Sequence, residues 1–130
     1  METLIKNDSI RTLIQETQET GGSSVSLIGE PLPESGYMVG GYVDSLIFDS
    51  GLLGHGTVAY DMILRWVSSH AALATKFSVF VGGWIDTDTD LVYIDLSQHF
   101  IDKSDALAVA RFHDEIAIWD LSSKREIRVN

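Results

Sequence analysis

The chain has 130 residues, 45% of them apolar and 22% charged, with two prolines and no cysteine. That size and balance specify one folded domain with its own core, and they exclude disulfides, thiolate metal sites and a cysteine nucleophile. Nineteen acidic against nine basic side chains give a formal charge of −10, which argues against direct nucleic-acid binding, because phosphate contacts draw on Lys and Arg.

Ile10, Leu13, Ile14 and Thr17 recur at helical spacing behind the polar pair Asp8 and Ser9, and Gly21-Gly22 ends the pattern. A helix near 8–20 follows, with a thin apolar face suited to the periphery of the core. Ser23 to Ile28 reads as a strand, and the Gly- and Pro-rich stretch 29–36 as a loop. Tyr37 to Phe48, YMVGGYVDSLIF, is rich in β-branched and aromatic residues, and its Gly40-Gly41 interruption suits one strand carrying a bulge or lying close to another backbone.

After a glycine-rich loop at 49–56, Tyr60, Ile63, Leu64, Val67 and Ala71 line one face of a central helix over 57–74, with Thr57 placed to cap it. Phe77 to Ile85 and Leu91 to Leu96 form an antiparallel hairpin around Asp86-Thr87-Asp88-Thr89-Asp90. In its second strand Leu91, Tyr93 and Asp95 point one way and Val92, Ile94 and Leu96 the other, so one face is buried. Asp102 and Ser104 compete to cap a helix ending near His113, and Ile116 to Asp120 supplies a last strand. The order α-β-β-α-β-β-α-β predicts a single α+β domain over 1–130. Its sheet, mixed or antiparallel, has about five strands, with three helices largely on one face.

No pattern of side chains in this chain declares a reaction. The alternating Asp86, Asp88 and Asp90 lack the turn glycine and distal glutamate of a calcium loop, since Leu91 and Ser97 stand in those places, so the segment reads as a solvated hairpin tip. His55, His70, His99 and His113 show neither HxH nor HExxH spacing. Gly51-x-x-Gly54-x-Gly56 precedes a helix but lacks the Lys-Ser/Thr of a phosphate loop, and no G-x-S-x-G elbow occurs. No catalytic residue, metal ligand or cofactor is assigned. Trp84 and Tyr93, if they share an open sheet face with the acidic residues of the hairpin, make an aromatic and acidic partner-binding patch of Trp84, Asp86, Asp88, Asp90, Tyr93 and Asp95.

The segment VGGWIDTDTDLVYIDLSQHFIDKSDALAVARFHDEIAIWDL carries a Gly-Trp-x-Asp hairpin, a Val-Tyr-x-Asp strand and an Ala-rich helix followed by Ala-Ile-x-Asp. In this C-terminal half the chain resembles small proteins encoded by actinobacterial phages, plasmids and other mobile elements. The resemblance implies a non-enzymatic accessory protein that binds a host protein, as an anti-CRISPR or anti-restriction inhibitor does. The charge points that binding toward a host protein with a basic surface, such as a nucleic-acid-binding effector. Two alternatives stand beside it: a small-molecule-binding or hydrolytic enzyme using His99 with Asp95 or Asp102, and a structural or oligomerisation module. The N-terminal METLIKNDSIRTLIQE has scattered charges, and no run of roughly 18 apolar residues occurs, so a cytoplasmic protein with no membrane contact is expected.

Overall fold

The computed structural model describes residues 7–129. In chain order these form α1 (Asn7–Thr20), β1 (Gly22–Val25), β2 (Tyr37–Val39), β3 (Leu46–Asp49), a 3-10 turn (Ser50–Gly54), α2 (Gly56–Ser69), α3 (Ala71–Ala74), β4 (Val79–Asp86), β5 (Leu91–Phe100), α4 (Lys103–Phe112), β6 (Ala117–Asp120) and β7 (Arg125–Arg128). The α+β expectation holds. Among the described residues the count is four helices and seven strands rather than three and five, and every strand pairing is antiparallel.

Each difference has a local cause. The helix expected over 57–74 breaks at His70, where Ser69 Oγ donates to the Trp66 carbonyl at 2.8 Å and competes with the helical ladder. Thr57 is not the cap of α2. The chain enters that helix from the 3-10 turn, whose own start is held by the Asp49 carboxylate accepting from Gly51 N at 2.8 Å. The strand expected over 37–48 is two strands, because Gly41 takes φ +84° and residues 40–45 leave the sheet. β7, with three charged residues in Arg125-Glu126-Ile127-Arg128, carries no apolar alternation to announce it, yet Ile127 pairs with Ile118 of β6.

The strand order is β1-β4-β5-β2-β6-β7, with β3 also paired to β5. β5 is therefore the spine of the sheet. One edge runs along the whole of β4, while the other is shared, Leu91 to Ile94 pairing with β3 and Gln98 to Phe100 with β2.

Register assigns the two faces. Val81, Gly83 and Ile85 stand opposite Leu96, Ile94 and Val92 and face the main core, where Ile10, Leu13 and Ile14 of α1 meet Ala59, Ile63 and Val67 of α2. α1 is thus a central element, not a peripheral one: its short apolar stripe is complete, and Ile10 and Leu13 have no exposed surface. A smaller cluster joins Ala106 and Ala110 of α4 to Val39, Ile118 and Val129. Val39 stands opposite Gln98, in phase with Leu96, so α4 covers a continuation of the same face. The alternate residues of β4 and β5 point to the opposite face.

Candidate functional site

That opposite face carries four of the six partner-binding residues singled out from the sequence, Trp84, Asp86, Tyr93 and Asp95, which the register arranges in rows, while Asp88 and Asp90 lie in the hairpin turn at its end. Trp84 stands across from Tyr93, and Tyr93 across from Ile47 of β3. The Trp84 and Tyr93 rings are stacked, with centroids 4.6 Å apart and planes inclined by 12°. Trp84 is 45% and Ile47 49% exposed, so the row is an apolar surface open to solvent rather than a second core. The neighbouring row is Asp86, Leu91 and Asp49. On the other side Asp95 stands opposite Gly82, which pairs in turn with Ser24 of β1.

The rim beyond Asp86 is the hairpin tip. Asp86 accepts from Asp88 N through its side chain at 3.0 Å and from Asp90 N through its carbonyl at 2.8 Å. Asp90 takes φ +59°, a left-handed conformation that a short polar side chain tolerates. The tip is further tied to β3 by Ser50 N donating to the Asp90 carbonyl at 2.9 Å. Asp88 and Asp90 are exposed, so the turn presents fixed carboxylates at one end of the aromatic row.

Asp95 differs from those surface acids. Its carboxylate lies over Gly82, where a Cβ would come within 3.0 Å of Oδ1. Burial on the sheet face, with the Glu115 carboxylate adding like charge, pushes the Asp95 carboxyl up to about 6. Glu115 reaches the same region from beyond α4, packing against Gly40 and Gly41, whose missing Cβ atoms leave it room. This is the stretch where β5 has exchanged β3 for β2 as its neighbour. Here His113 Nδ1 donates to the Gly41 carbonyl at 2.8 Å, Tyr42 Oη donates to Gln98 Oε1 at 2.8 Å, and the Tyr42 and His113 rings lie 4.4 Å apart.

Two residues of the hydrolytic alternative, His99 and Asp102, are engaged with backbone groups. His99 donates from Nε2 to the Ser35 carbonyl at 2.7 Å, held by the connection from β1 to β2. Asp102 caps α4, accepting from Ser104 N at 2.7 Å and Asp105 N at 3.2 Å. Among the described residues no group of three or more His, Asp and Glu side chains is placed to hold a metal ion. The glycine-rich segment borders an open cleft of about 570 Å³ between α1 and α2. Its one cation among the described residues, Arg11, is already engaged by the Tyr60 ring at 5.1 Å and by Asp8 at 3.4 Å.

Two features of the face escaped the sequence reading. Ile47 and Asp49 belong to it, and the alternation of Leu46-Ile47-Phe48-Asp49 signals this only once the strand is allowed to end before Gly40. The other is a distribution: Arg11 and Arg65 bracket a stretch with no Lys or Arg, as do Lys76 and Lys103, so β1 to β5 carry neither. Among the described residues, no helix is long and apolar enough to cross a membrane. No protein-family model matches the chain, and neither a curated protein nor a solved structure matches it.

Proposed function

We propose that this chain is a protein-binding module that docks the basic surface of a partner protein onto the open face of β3, β4 and β5. The observation that carries the reading is the exposed Trp84–Tyr93 stack with Ile47, bordered by Asp49, Asp86, Asp88 and Asp90, on strands without a single Lys or Arg. A central aromatic anchor with a charged rim is the usual anatomy of a protein interface. A second copy of the chain fits poorly there, because two acidic rims of a molecule with charge −10 would be brought together.

The resemblance of the C-terminal half to mobile-element proteins supplies the partner class. The module acts in the cytoplasm on a host effector that binds nucleic acid, such as a restriction or CRISPR nuclease, and occupies its basic groove as an inhibitor. The test is a titration against a purified basic nuclease of that class. Affinity should fall as ionic strength rises, and Trp84→Ala should weaken it by about tenfold or more, as expected for an interface anchor. Binding that persists unchanged at high salt and in the Trp84→Ala variant would overturn the reading.

A further inference from the structure

We propose that Asp95 and Trp84 together form a subsite for one arginine side chain of the partner, with the guanidinium lying over the indole and ion-paired to the Asp95 carboxylate. The inference rests on the docking face described above and names the chemistry of its centre.

Three observations converge on it. Asp95 is a half-buried carboxylate with no hydrogen-bonding partner among the described residues that would account for its position. It neighbours the exposed row directly: Tyr93 is two residues along the same strand, and Gly82, over which the carboxylate lies, is two residues from Trp84. Gly82 and, beside Trp84, Gly22 of β1 carry no side chain above the sheet, and over Gly82 the Asp95 carboxylate has only the Ser24 hydroxyl of β1 close by. A flat stacked aromatic surface next to an unpaired carboxylate suits a guanidinium better than an ammonium, because only the former is planar, weakly hydrated and able to make two parallel bonds to a carboxylate.

The charged and titratable groups facing Asp95 define how binding should respond to pH. On the same face Tyr93 stands two residues away on its own strand, with His99 and, on β4, Asp86 further along. Glu115 and the Tyr42–His113 pair approach from the side where β5 changes partners, and β1 contributes only Gly22 and Ser24. None is a fixed cation, so an arriving guanidinium supplies the charge that the carboxylate lacks. An incoming cation lowers the Asp95 pKa, so the complex forms with release of a proton whenever the free carboxyl is protonated.

The experiment is a calorimetric titration of the full chain with oligo-arginine and oligo-lysine peptides of equal length, across a pH series. Oligo-arginine should bind about tenfold more tightly than oligo-lysine at neutral pH. Its affinity should fall by up to about tenfold for each pH unit below the Asp95 pKa. Asp95→Asn should abolish both the arginine preference and the pH slope while leaving a residual salt-dependent affinity; Trp84→Ala should weaken both peptides. If Trp84→Ala weakens binding but Asp95→Asn leaves preference and slope intact, the arginine subsite is overturned and the docking face stands. Should neither variant change binding of either peptide, the docking face itself is overturned.

Discussion

The Thr17 hydroxyl of α1 faces Gly83 of β4 so closely that a Cβ on that glycine would lie 2.8 Å from Oγ1, with Ile94 and Leu13 methyls at 3.2 and 3.3 Å. The helix is seated directly on the backbone of the sheet, and the missing side chain sets the distance between the layers. Gly83→Ala must therefore push α1 away or force neighbouring side chains off their rotamers, at a cost of about 1–3 kcal/mol. Urea denaturation should show a lower midpoint; an unchanged one would mean that the layers are not in contact there.

Thr17 Oγ1 is itself buried without a hydrogen-bond partner among the described residues. Thr17→Val keeps the shape while removing the unpaired hydroxyl, so the variant should match the parent chain or exceed it by up to about 1 kcal/mol. A loss larger than that would show that the hydroxyl is satisfied in solution.

Asp95 makes stability depend on pH. Its carboxyl is raised from an ordinary 3.8 to about 6 by burial and by Glu115, so the folded state binds the proton more tightly than the unfolded chain does. The favourable contribution is complete below the unfolded pKa and is lost as pH rises through the folded one. Asp95→Asn should therefore be more stable than the parent at neutral pH, by roughly 3 kcal/mol at most, with the gap closing as the solution is acidified toward pH 4. Thermal melts of both proteins across that range check it, and a gap that stays constant would count against an Asp95 origin.

The sequence showed most plainly those parts whose periodicity is local. Val92, Ile94 and Leu96 alternate with Tyr93 and Asp95 in the chain and across the sheet alike, and the paired run from Val79 to Asp86 follows from the same pattern. Of the two competing caps that the sequence offered for α4, Asp102 and Ser104, the structure uses Asp102. What escaped depends on partners distant in the chain. The splitting of 37–48 becomes visible only when β5 is seen to hold β2 and β3 on one edge. The role of Glu115 depends on Gly40 and Gly41, more than 70 residues earlier, leaving space for its carboxylate. The partner-binding patch lay between these cases: its residues were evident as a hairpin, but their common exposure required the helices to choose the other face.

The absence of Lys and Arg from β1 to β5 also governs how the molecule can be handled. Trypsin finds no cleavage point between Arg11 and Arg65 or between Lys76 and Lys103, so complete digestion leaves the β4–β5 hairpin, aromatic stack included, in one peptide. Among the described residues, amine-directed reagents attach to Lys76, Lys103 and Lys124, all outside these strands, so a chain immobilised through them still presents the Trp84 face to whatever flows past it.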